Sequence, residues 1–118
     1  MSPTIEDGDA VFYIRITGTI NRQDIIYVRM PDGSTLIKRV VALAGDTIDI
    51  KDGKFTVNGE VMDDFGPTEA HGNSQKYPAT IEKDHVFVMG DNRGGSVDSR
   101  DFGPIALDQV KGKFLFHR

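Results

Sequence analysis

Lys38 stands inside the apolar run Leu36-Ile37-Lys38-Arg39-Val40-Val41, and a lysine in that setting could serve as a base. Taking an ammonium out of water destabilises its charged form and lowers its pKa, and a neutral amine can accept a proton near pH 7. Side chains alternate faces along a strand, so Lys38 and Arg39 cannot both reach solvent unless the strand is bent or lies at an edge. One of them is therefore expected to face something buried. An edge strand carrying a snorkelling lysine is the alternative. The second chemically dense stretch is Gly90-Asp91-Asn92-Arg93-Gly94-Gly95-Ser96-Val97-Asp98-Ser99-Arg100-Asp101-Phe102-Gly103-Pro104, which gathers hydroxyls, opposite charges and turn formers. It follows Val86-Phe87-Val88-Met89, an apolar run that reads as a buried strand, so its polar groups arrive at a strand end. Gly94-Gly95 permits positive φ, and Gly103-Pro104 closes the stretch with a second turn. Spacing alone does not separate a functional loop from one merely tied down by ion pairs.

The elements that must position these groups are mostly strands. Residues 10–16, 24–30 and 35–43 are rich in β-branched and aromatic side chains and are bounded by Gly, Pro, Asp or Asn. Pro31-Asp32-Gly33-Ser34 joins the second to the third with hairpin chemistry. Strands are also predicted over 47–51 and 54–57, flanking the Asp52-Gly53 hairpin signal, and at Val61-Met62 after an Asn58-Gly59 turn. A polar, Gly- and Pro-punctuated loop is expected over 63–84, a length often associated with function or mobility. A short helical turn is expected over 105–110 and a last strand over 112–116. The predicted class is mainly β: folded-over antiparallel sheets forming a partly closed barrel, in one domain spanning residues 1–118.

Bulk properties narrow the function. The 118 residues suffice for one domain with a real core. Fourteen basic and 18 acidic residues give a net charge of −4 with no basic run, which removes the electrostatic footprint of a nucleic-acid binder. No stretch approaches the roughly 20 apolar residues that cross a bilayer, so the chain as given reads as soluble. Without cysteine there is no disulfide, thiolate nucleophile or cysteine-ligated metal. His71, His85 and His117 are scattered over loop and strand ends and give a metal site little support; no cofactor is expected.

Four segments resemble, in order, the conserved boxes of the bacterial type I signal peptidases, the Ser-Lys proteases that remove signal peptides from exported proteins. Met1-Ser2-Pro3-Thr4-Ile5 with Gly8-Asp9 resembles the Ser-Met-x-Pro-Thr-Leu box and the Gly-Asp after it. Arg22-Gln23-Asp24-Ile25-Ile26 is similar to an Arg-Gly-Asp-Ile-Val segment, with Gln23 replacing glycine. Lys38-Arg39-Val40-Val41-Ala42-Leu43-Ala44-Gly45-Asp46 resembles the lysine box, with Ala44 at the usual proline. The run from Gly90 matches Gly-Asp-Asn-Arg-x-x-Ser-x-Asp-Ser-Arg closely. Each box alone is weak; four in order are strong.

The resemblance implies that Lys38 is the general base and that Ser96 hydrogen-bonds and orients it, the role an aspartate plays in a Ser-His-Asp triad. Asp98 and Arg100 would form an ion pair bracing the loop, with Arg93 as a further partner. Met1, Ile5, Leu36 and Ile37 would line small apolar pockets for alanine-like side chains at the first and third residues before the cut. An extended substrate would pair with an exposed strand edge. The nucleophile of the first box is the residue before its Met, so it is expected one position ahead of Met1; Ser2 falls at a variable position. The oxyanion-hole serine and the membrane anchor also lie upstream in the family, which makes the chain an expected extracytoplasmic fragment that is inactive as given. Implied partners are exported preproteins with small residues before the cleavage site and, for the anchored parent, the membrane surface at the extracytoplasmic face. Two other readings stand beside this one: a signal-peptidase-like binding or assembly protein that does not cut, and a self-cleaving repressor-type Ser-Lys protease. Retention of Lys38 and Ser96 disfavours the first, and the lack of a DNA-binding half together with the full Gly-Asp-Asn-Arg box disfavours the second.

Overall fold

A computed structural model describes residues 11–14, 20–62, 65–71 and 76–116, with 11–14, 115 and 116 described by backbone alone. Among the described residues all strand pairings are antiparallel, as expected. Six strands form the larger sheet: β1 (Val11–Ile14), β2 (Ile25–Arg29), β3 (Thr35–Leu43), β8 (His85–Met89), β9 (Ile105–Ala106) and β10 (Val110–Phe116), in the order β1-β10-β2-β3-β8-β9. The smaller sheet runs β6-β5-β4-β7, from β4 (Thr47–Lys51), β5 (Lys54–Val57), β6 (Glu60–Val61) and β7 (Ala79–Thr80). Neither sheet closes on itself among the described residues. The outer parts of the strand expected over 10–16, the pocket residues Met1 and Ile5, Ser2 and His117 lie outside the described residues.

The two-residue turns form for the reason their sequences suggest. Asp52 and Gly53 have φ of 53° and 77°, and Asn58 and Gly59 have 53° and 87°, the doubly left-handed geometry that joins twisted antiparallel strands tightly. They close β4 onto β5 and β5 onto β6.

β3 and β8 read as continuous apolar runs because both their faces are covered. Val40, Val86 and Val88 pack with Ile26, Val28, Ile105 and Val110 on one side of the larger sheet. Val41, Ala42, Phe87 and Met89 pack on the other side with Ile48, Phe55 and Val57 of the smaller sheet and with Ile81 just after β7, and the Phe55 and Phe87 rings stack at 6.5 Å. A bulge lets β3 serve this second core: Val40 pairs with Val88 and Ala42 with Phe87, leaving Val41 as the extra residue. Val41 and Ala42 thereby reach the same cluster although they are neighbours.

Two expectations need correction and one needs narrowing. The short helical turn expected over 105–110 is the 3₁₀ turn Leu107–Gln109, while Ile105 and Ala106 on one side pair with β8 and Val110 on the other starts β10. The segment 63–84 is not wholly loop, because β7 pairs with β4 and Ile81 is buried in the core. A four-residue helix, α1 (Ser99–Phe102), sits inside the polar run, where only loop was expected.

Candidate active site

The site begins where β3 and β8 part company. Their pairing runs from Arg39–Met89 to Leu43–Val86, while Thr35–Lys38 pair only with β2 among the described strands. At Gly90 the chain leaves the sheet, and the gap between it and the first half of β3 is a groove of about 430 Å³. Leu36, Ile37, Lys38 and Tyr27 line one wall; Gly90, Asp91, Asn92, Gly95 and Ser96 line the other. Leu36 and Ile37 thus lie in the lining of the groove.

Across this groove Lys38 Nζ donates to Ser96 Oγ at 3.0 Å. Lys38 pairs only with Ile26 of β2 among the described strands, so it stands at the edge half of β3, one residue before β8 joins, and it is half-buried there. Burial is the main influence on its ammonium and lowers its pKa, with Arg100 adding to the effect and Asp98 and Asp101 opposing it. Ser96 is itself held: Gly90 N donates to its Oγ at 3.1 Å, and its hydroxyl bonds to Asp98. Glycine is required at position 90, since a Cβ there would lie 2.2 Å from Ser96 Oγ and 2.6 Å from Ser96 Cβ.

Asp98 anchors the second wall. It is fully buried, as is Arg100, which grips it through Nε to Oδ1 at 2.9 Å and Nη2 to Oδ2 at 2.8 Å. The carboxylate also accepts from Gly90 N at 3.0 Å and, as the N-cap of α1, from Arg100 N at 3.1 Å. Asp101 returns the cap by accepting from Asp98 N at 3.0 Å, a capping box that accounts for so short a helix. Burial pushes the Asp98 carboxyl up, but hydrogen bonds from Arg100 and Ser96, the Arg100 charge and Gly90 N together hold it below its ordinary value. Ser99 Oγ accepts from Val88 N at 2.9 Å and pins α1 to β8.

Arg93 is not a further partner of the Asp98–Arg100 pair. Its Nε donates to Gly90 O and its Nη1 to Thr68 Oγ1, each at 3.0 Å. The sequence also gave no role to Arg39, which binds Asp91 with Nε at 2.9 Å and Nη2 at 3.0 Å on the face opposite Lys38. Two successive cations in an apolar strand were the available signal: each face of β3 required a buried partner. His71 lies 3.0 Å from Asp101, so it is not remote from the site. His71, Asp98 and Asp101 bring donor atoms within 4.8 Å of one another. Asp98 has both oxygens engaged by Arg100 and Gly90, which suits a structural brace better than a metal ligand set.

Three comparisons bear on this arrangement. Residues 1–117 match the family described as signal peptidase, peptidase S26. The chain is 35% identical to signal peptidase I V of Bacillus subtilis strain 168, over 95% of this chain and 76% of that protein. It is 33% identical to signal peptidase I of Bacillus caldolyticus, over 98% of this chain and 72% of that protein. With thylakoidal processing peptidase 1 of Arabidopsis thaliana it shares 30% identity over 98% of this chain, which spans 38% of that longer protein. In structure it is similar to a signal peptidase I from Enterococcus faecalis V583, with a TM-score of 0.64 and 27% identity over 81% of this chain and 97% of the other. No described helix is long and apolar enough to cross a membrane.

Proposed function

The chain belongs to the signal peptidase family, peptidase S26, and on that premise we propose that it is the catalytic unit of a Ser-Lys endopeptidase that removes signal peptides from exported preproteins. The observation that carries the proposal is the 3.0 Å bond between a desolvated Lys38 and a Ser96 held from two further directions. A neutral lysine amine has two N–H bonds and one lone pair. Donating one hydrogen to Ser96 fixes the amine's orientation and leaves the lone pair free to take a proton from a nucleophile in the groove.

The nucleophile in this proposal is a serine immediately ahead of Met1. Its hydroxyl proton passes to Lys38 Nζ as its oxygen attacks the scissile carbonyl. The lysine then hands that proton to the leaving amine, and an ester to the serine remains. Water, deprotonated by the same amine, hydrolyses the ester. The substrate lies extended along Thr35–Lys38, where β3 has no second described partner, and presents small side chains to Leu36 and Ile37. The working location is the extracytoplasmic face of a bacterial membrane.

The test compares proteins carrying serine or alanine ahead of Met1, each assayed on a peptide with alanine at the first and third positions before the cut. The serine form cleaves; the alanine form and Lys38→Ala lose on the order of 10³-fold or more, as for removal of a member of other hydrolytic triads. Cleavage by the alanine form, or by Lys38→Ala at an undiminished rate, defeats the proposal.

A further inference from the structure

The segment 65–71, part of the long loop, touches all three arginines that build the site. Arg39 holds Asp91 and lies 5.0 Å over the Phe65 ring. Arg93 lies 5.3 Å over the same ring, donating Nε to Gly90 O and Nη1 to Thr68 Oγ1. Arg100, while gripping Asp98, extends Nη1 to Glu69 O at 3.3 Å. Each guanidinium thus divides its donors, or its face, between the site and this segment. Thr68 is fully buried, and its own N–H is bonded to Gly53 O at 2.8 Å, at the β4–β5 turn of the smaller sheet.

A continuous chain of contacts leads from Thr68 to the amine. Thr68 Oγ1 accepts from Arg93, Arg93 holds Gly90 O, Gly90 N holds Ser96 Oγ, and Ser96 Oγ receives Lys38 Nζ. Resting on the reading that Ser96 orients Lys38, we infer that Thr68 is a positioning residue for the base, acting through Arg93, and that the segment 65–71 is a strap tying the site to the smaller sheet. A guanidinium carries five N–H donors in a fixed plane, so fixing Nη1 as well as Nε removes its freedom to swing about the Gly90 contact. A buried donor deprived of its acceptor instead turns to find another, and Gly90 moves with it.

The test is made on the full-length protein. Thr68→Val keeps the shape and removes the acceptor; it is expected to lower kcat about tenfold with KM unchanged within about twofold, an effect smaller than the roughly 10²-fold attached to a 1 Å displacement. Thr68→Ser, which restores the hydroxyl, brings kcat back to within about threefold. In an Arg93→Met background Thr68→Val has no further effect on kcat, because the link is already cut. A purely structural Thr68 would instead lower the melting temperature and leave kcat and KM as they were, which overturns the inference. Independent losses in the double variant, or failure of Thr68→Ser to rescue, overturn it equally. Should Thr68→Val not fold, Phe65→Leu loosens Arg93 from the surface side, and an unchanged kcat there is also fatal. Lys38→Ala in the same series separates the two readings: if it stays active the Ser-Lys proposal has failed, whereas an inactive Lys38→Ala beside an unaffected Thr68→Val condemns the strap alone.

Discussion

Gly90→Ala introduces a methyl group at the point where the two walls of the site meet. The added carbon would stand 2.2 Å from Ser96 Oγ, 2.6 Å from Ser96 Cβ and 3.5 Å from Lys38 Nζ. Rotating Ser96 about χ1 moves the oxygen but not its Cβ, so a rotamer change cannot relieve the overlap. Carbon–carbon contacts settle at about 3.5 Å, so one backbone must retreat by roughly 1 Å. Gly90 is poorly placed to do so, since Arg93 holds its oxygen and Asp98 shares its N–H with Ser96. Ser96 therefore moves, and its bond to Lys38 opens. A 1 Å misplacement at a reacting centre is associated with about a 10²-fold loss of rate, close to 2.7 kcal/mol in the barrier. Overpacking adds a stability loss of about 1–3 kcal/mol, or roughly 4 °C in Tm for each kcal/mol in a domain of this size. Steady-state kinetics on an alanine-rich cleavage peptide and urea melts of the same preparations measure both quantities. Ser96→Gly supplies the control, because it removes both clashing atoms: in that background Gly90→Ala should change stability by less than about 0.5 kcal/mol. A Gly90→Ala protein with kcat within threefold of the parent, or an equal stability loss in both backgrounds, would refute the placement of Ser96 against Gly90.

Asp98→Asn removes one member of a fully buried pair and leaves the Arg100 guanidinium uncompensated, a change expected to cost about 3–5 kcal/mol in urea unfolding and less when combined with Arg100→Met. Because the folded Asp98 carboxyl lies below its ordinary 3.8, its contribution is present above that value and lost as pH falls through the lower folded one; Asp98→Asn should flatten this acid limb, and an unchanged limb would contradict the assignment. Lys38 gives a pH dependence of the same sign at the alkaline end. With its folded pKa below 10.5, the unfolded chain binds more protons between the two values, so stability rises with pH through that window, and Lys38→Met should abolish the rise in melts taken across alkaline pH.

The strands and tight turns were legible in the sequence because their signals are local. β-branched runs bounded by Asp-Gly and Asn-Gly need no distant partner to be read, and β3, β4 and β5 fall where those runs lie. The meeting of Lys38 with Ser96 was legible through their boxes, although 58 positions separate the two. What escaped was set by tertiary context. α1 consists of four residues started by an Asp98 cap, and Asp followed by Ser reads equally well as a turn. Ile105 and Ala106 have an apolar look common to helix and strand, and only β8 beside them decides the matter. Thr68 and Phe65 carry no pattern at all; their meaning comes from arginines 25 and more positions away. Gly90 had no role in the sequence beyond opening the polar run, whereas its missing side chain is what makes room for Ser96.

The span from Gly90 to Asp101 closes its contacts over short distances, with Asp98 reaching back eight residues to Gly90 and ahead two to Arg100. Loops of that size carry a small entropic penalty for closure, whereas bringing Lys38 to Ser96 closes one several times longer. The two halves of the site thus differ in when they can exist as the chain folds. A chain with its acidic brace formed and β3 still undocked carries a fully hydrated, ordinary lysine. The lowered pKa of Lys38 is accordingly a property of the completed sheet, and under the proposed mechanism the amine becomes usable as a base only once β3 has docked.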